Sequence, residues 1–160
     1  MRILTLAFIA LLPLAAIAQS DTITVRIAHG DTCSAVVSLE QLRALPRHTA
    51  TIQSHDGEEA TYEGVLLKRV LGLGCPSIAA IGKRTMVRSA VRVSASDGYS
   101  ALIAMAETDS TFRNRPVLLT WLKNGKPLDG HDGPLQLIVP DDNRHARDVR
   151  MVNRLEVITP

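Results

Sequence analysis

Aromatic residues are scarce in this chain: Phe, Tyr and Trp together fill 3% of 160 positions, with a single Trp. A ligand that needs a flat partner to stack on has few candidates. There are only two cysteines, Cys33 and Cys75, and they lack the CxxC spacing of redox dithiols and zinc sites. The five histidines, His29, His48, His55, His131 and His145, never fall at i, i+4 or beside a second ligand type in a metal motif, so taken singly each reads as an ordinary side chain. No GxSxG marks a serine as nucleophile, and no GxGxxG or Walker pattern offers a phosphate cradle. The formal charge of +2 lacks the strong basic bias of nucleic-acid binders. Beyond the N-terminus, no run is long and apolar enough to cross a bilayer.

What is present begins with that N-terminus. Arg2 supplies a positive start, Ile3 to Leu14 an apolar stretch, and Ala16-Ile17-Ala18 a small-residue cleavage site, the pattern of a secretory signal peptide. A membrane anchor is the alternative, but the apolar run is short and polar Gln19, Ser20 and Asp21 follow at once. The expectation is a signal peptide over residues 1–18 and one domain over residues 19–160, exported to the periplasm. In such an oxidising compartment Cys33 and Cys75 are expected to pair as a disulfide, with two buried free thiols as the alternative.

Ile23, Val25 and Ile27 alternate with polar residues as a half-buried strand does. "SLEQLRALP" opens with Ser38 and Gln41 as a capping box, sets Leu39, Leu42 and Leu45 on one helical face, and stops at Pro46. "TATIQS" and "ATYEG" read as a hairpin around "HDGEE". "VLLKRVLGLGCP" places Val65, Leu66, Val70 and Leu73 at helical spacing after Gly64, with Gly74 as C-cap. Thr85 to Ala95 favours a strand up to a tight Asp97-Gly98 turn. "SALIAMAE" fits helix or strand, and "PVLLTWLKNGKPL" a strand entering an Asn124-Gly125 hairpin. "LQLIVP" reads as a buried strand, and Val149, Met151, Leu155 and Val157 alternate through a last one. The sum is an α+β domain, mostly mixed sheet with short helices.

Three polar loop segments stand among these strands: "SDGY" at 96–99, "HDGP" at 131–134 and "NRHARDVR" at 143–150. Read plainly, Gly98 and Gly133 serve turns, Arg144, Arg147 and Arg150 form a solvated face balanced by Asp141, Asp142 and Asp148, and Trp121 is a core side chain. Their order says more. "YEGVLLKRVLGLG", "VRVSASDGYSALI", "GKPLDGHDGPLQLIVPDD" and "RDVRMVNRLEVI", in that sequence, resemble the molybdopterin-binding domain of the sulfite-oxidase-like family over about Ser38 to Ile158. In that family the glycine-proline turn lies near the pterin and the later basic segment faces its phosphate, where close backbone approach favours glycine.

The resemblance also implies a cysteine thiolate on molybdenum from a segment upstream of the "GV.L" helix. Here the corresponding "TIQSHDGEEATYEGV" holds no cysteine; Cys33 comes too early and Cys75 too late. The chain looks more like short periplasmic members without the metal chemistry, among them PruR-type proteins that bind reduced pterins and regulate membrane cyclic-di-GMP enzymes. The implied function is a pterin-binding regulator whose partner is the periplasmic domain of a membrane signalling protein, with the molybdenum cofactor not expected. A molybdopterin-dependent oxidoreductase and a ligand-free interaction module are the alternatives. A pterin wants one aromatic face and a few fixed polar groups. The implied ligand set is therefore Tyr99 or Trp121 for stacking and Asp97 or Asp132 as acceptors, with His131 and Gly133 in the turn and Arg144, Arg147 and Arg150 on the polar tail.

Overall fold

The computed structural model describes residues 24–53 and 57–160. The expected signal peptide, and His55 and Asp56 of the hairpin turn, lie outside these residues. Alternation of polar and apolar positions gives β1 (Thr24–His29) and β2 (Cys33–Ser38), followed by α1 (Leu39–Arg43), β3 (His48–Gln53) and β4 (Glu59–Leu66). Three short helices come next: α2 (Leu67–Gly74), α3 (Pro76–Ala79) and α4 (Lys83–Met86). Then β5 (Ala90–Ala95), β6 (Ser100–Ala104), β7 (Leu118–Lys123), β8 (Lys126–Pro127), β9 (Gln136–Ile138) and β10 (Val152–Ile158) complete the order.

These strands form two sheets. One has the order β2-β1-β10-β5-β6; the other runs β3-β4-β7-β8, with β9 also paired to β7. β1 and β10 run parallel, and so join the first and last described strands. One face of each sheet is apolar, and the main core lies between them, built from residues such as Ile27, Leu71, Val93, Leu119, Trp121 and Leu155. Ile52, Ala60, Tyr62 and Ile138 make a smaller core on the far face of the second sheet. The result is the expected α+β architecture. The pairing of Cys33 with Cys75 is present too, with Cα atoms 5.9 Å apart, and it ties β2 to the end of α2.

Local details depart from the sequence pattern where tertiary packing overrides it. β4 continues to Leu66, so the helix starts three residues after Gly64; Leu67, Val70 and Leu71 are its buried face, while Leu73 is exposed. Gly64 is needed within the strand because a Cβ there would lie 2.1 Å from the Leu119 carbonyl oxygen, where β4 shifts register against β7. The stretch from Thr85 begins in α4: Met86 is buried and Val87 exposed, and the strand starts only at Ala90. Ser38 forms the expected capping box, accepting from the Gln41 N–H while Gln41 Oε1 accepts from the Ser38 N–H at 2.9 Å. The last strand begins at Val152, and a bulge between Val152 and Arg154 switches the inward set to Val152, Leu155 and Val157.

Candidate functional site

The three polar segments meet at one end of the sheets, and the peptide of Met151 is what joins them. Its N–H donates to the Asp132 carbonyl at 3.1 Å, and its carbonyl accepts from the Ser96 N–H at 3.0 Å. Met151 holds this position with φ of 49°, left-handed backbone that a non-glycine residue adopts rarely. On either side, Val149 and Val152 bond to Leu137 and Leu135, so the segment that carries Arg150 is sewn to the strand leaving the "HDGP" turn. The third segment joins through Tyr99, whose hydroxyl donates to the Ala146 carbonyl.

Two turns shape the loops. In the first, Asp97 accepts from the Tyr99 N–H at 2.9 Å across Gly98, whose φ is 90°. In the second, Asp129 accepts from the N–H groups of both His131 and Asp132 at 2.9 Å, and Gly133 N–H donates to the Asp129 carbonyl at 2.8 Å. These backbone donors hold the Asp129 carboxyl below its ordinary range. A Cβ on Gly133 would meet Leu128 Cβ at 2.8 Å and the Asp129 oxygen at 2.9 Å, so the turn closes only with glycine; the Gly133-Pro134 peptide is cis. Asn124 (φ 52°) and Gly125 (φ 73°) form the expected hairpin, and Asn124 Oδ1 accepts from the Thr61 N–H at 2.8 Å.

Asp132 is the centre of charge here. Its side chain is 16% exposed and lies 3.1 Å from His131 Nδ1, and 3.8 Å from both Arg150 and the Lys123 ammonium. Arg150 also packs on the His131 ring, with Nη1 at 2.8 Å from Nε2. Lys123 spans from this carboxylate to the Tyr62 ring, 5.7 Å from its centroid. The combination is one carboxylate acceptor set between the Arg150 guanidinium and the Lys123 ammonium, with the His131 ring against it.

The other expected ligands lie differently. Trp121 is 3% exposed and packed in the main core, so its ring is not available to stack on a ligand; core packing takes the place of that role. Arg147 donates to Asp142 through Nε at 2.7 Å and to Glu107 at 2.9 Å. That clamp raises the Arg147 pKa and lowers that of Asp142. It belongs to a network in which Arg113 reaches Glu107 and Asp141, and of the basic run this network takes Arg147. Arg144 is exposed. Asp148 accepts from the Val139 N–H at 2.7 Å and contacts His145 at 2.9 Å; burial pushes its carboxyl up. Sequence reasoning missed Asp129 and Lys123. The spacing of Asp129 ahead of "GHD" is an Asx-turn signal that could have marked the first; Lys123 is brought in only by the hairpin.

A model of the oxidoreductase molybdopterin binding domain matches residues 12–160. The chain belongs to this family. Among solved structures it is similar to the sulfane dehydrogenase SoxCD from Paracoccus pantotrophus, with a TM-score of 0.64 and 18% identity over 84% of this chain. It spans 37% of that chain's length. No curated protein matches. A likeness at this identity concerns the fold, which is the sulfite-oxidase-like molybdopterin-binding fold.

Membership of the molybdopterin-binding family implies a pterin-type cofactor, and the donor set can be compared with it. The ring's amino and N–H edge calls for a fixed acceptor, and its anionic tail calls for cations. Asp132 supplies the acceptor and Arg150 and Lys123 the cations at the joined loops. The thiolate through which such domains hold molybdenum does not fit: both cysteines of the chain are spent on each other.

Proposed function

We infer that the domain binds a pterin at the "HDGP" turn without a cysteine-held molybdenum. In this reading it serves in the periplasm as a ligand-dependent regulator of a membrane signalling enzyme of the cyclic-di-GMP type. The observation that carries the non-catalytic part is the disulfide: with Cys33 and Cys75 joined, no thiolate is left to coordinate a metal. The pterin part is supported by family membership and by the Asp132 cluster, held rigid by the Met151 peptide. Asp132 would bind the ring edge, Arg150 and Lys123 the polar tail, and Tyr99 would offer its face. The regulatory role is the expectation carried by the likeness to short PruR-type members.

The test is made on exported, oxidised protein. Extraction followed by fluorescence is expected to release a pterin, and metal analysis to find molybdenum far below one per chain. Stoichiometric molybdenum with oxidoreductase turnover would overturn the reading in favour of catalysis. Protein that neither carries nor binds a pterin would leave an interaction module.

A further inference from the structure

The outer face of the first sheet carries a second feature. Strand alternation and register place Val36, Arg26, Arg154, Ser94 and Ser100 side by side across all five strands. The next row is Ser34, Ala28, Glu156, Arg92 and Leu102. Sheets with one solvated face normally cover it with mixed polar residues. This one combines exposed apolar side chains, Val36 at 59%, Leu102 at 55% and Ile158 at 38%, with three arginines and one acid.

Among the described residues the charges do not balance. Glu156 alone serves two of the arginines, with Arg92 at 3.1 Å and Arg154 at 3.5 Å. Arg26 stands directly beside Arg154 on the parallel neighbouring strand, a like-charge pairing that costs stability in a sheet. Between them a cleft of about 420 Å³ opens, lined by Thr24, Arg26, Val36, Asn153 and Arg154. Two arginines lining a cleft, with exposed apolar side chains on the same face, are suited to receive carboxylates set among apolar side chains.

We propose that this face is the docking surface for a protein partner that presents acidic side chains around an apolar patch, with carboxylates seated between Arg26 and Arg154. The occupant is chosen by charge complementarity: among the described residues the face has three arginines and one acid, Glu156. Arginine is also the cation most favoured at interface centres. The proposal rests on the reading that the domain acts through a protein partner, and it names the surface used.

A fluorescently labelled synthetic peptide of alternating glutamate and valine is the probe, read by anisotropy, with a glutamine-for-glutamate version as control. Binding is expected to weaken with added salt and by at least about tenfold in the R26E/R154E double variant. Both side chains are exposed, so circular dichroism is expected to show an unchanged fold. No binding by the wild-type domain, equal binding of the glutamine peptide, or unchanged affinity in the double variant would overturn the proposal. So would binding to phosphatidylglycerol vesicles without binding to the peptide, which assigns the face to lipid, or self-association in sedimentation that the double variant abolishes, which assigns it to a second copy. Pterin affinity of the double variant is expected to equal that of wild type. Loss of pterin binding by wild type with peptide binding intact would instead count against the proposed ligand and leave this surface standing.

Discussion

Single residues divide here into those that make the loop cluster and those that only support it. Asp132→Ala is expected to weaken pterin binding by about tenfold or more, the cost of one charged hydrogen-bond contact, with little effect on stability. Trp121→Ala is expected to do the reverse. Its ring is core, so the loss is stability, about 3 kcal/mol or more by chemical denaturation. Asp148 gives a pH signature. Burial raises its folded carboxyl pKa above the unfolded value, so the folded state holds the proton more tightly. Its contribution is favourable below the unfolded pKa and is lost as pH rises through the folded value. His145, at 2.9 Å, and the Asp142 charge are the titratable neighbours that modulate this. Asp148→Asn is therefore expected to gain stability relative to wild type between mildly acidic and neutral pH, in urea melts at several pH values. A constant difference across that range would contradict the assignment. At this scale "DGY" and "HDGP" were legible as turn chemistry. The burial of Trp121 and the capture of Arg147 by Asp142 and Glu107 were not, because they depend on partners distant in sequence.

Among the elements, the disulfide is the clearest lever. It closes the chain between β2 and the end of α2 across a separation of 42 residues. Loop-closure entropy for such a span corresponds to about 4 kcal/mol. Reduction, or a Cys33→Ser/Cys75→Ser double variant, is expected to lower the unfolding free energy by an amount of that order while leaving pterin affinity within a fewfold, since the bridge ties β2 to α2 while the Asp132 turn is held by Met151. The elements written most strongly in local chemistry were legible: the Ser38 capping box, the Asn124-Gly125 turn and the alternation of β1 and β5. Those decided by close approach were not. Gly64 belongs to a strand because the Leu119 backbone presses against it, and the bulge that re-aims β10 leaves no mark in its hydrophobic spacing.

For the molecule as a whole, two sheets around a main core bring three segments far apart in sequence to a single place, and the backbone of Met151 bonds to two of them. That convergence follows from the pairing of β10 with both β1 and β5, a long-range arrangement that local sequence patterns do not reveal. The domain keeps the fold of a molybdopterin-binding family while its two cysteines serve structure. The central claim, that this arrangement binds a pterin without thiolate-held metal, is tested most directly by calorimetric titration of a tetrahydropterin into exported, oxidised, metal-analysed protein. The account predicts saturable one-to-one binding that Asp132→Ala weakens by about tenfold or more. Absence of binding, or identical affinity in a folded Asp132→Ala variant, would contradict it.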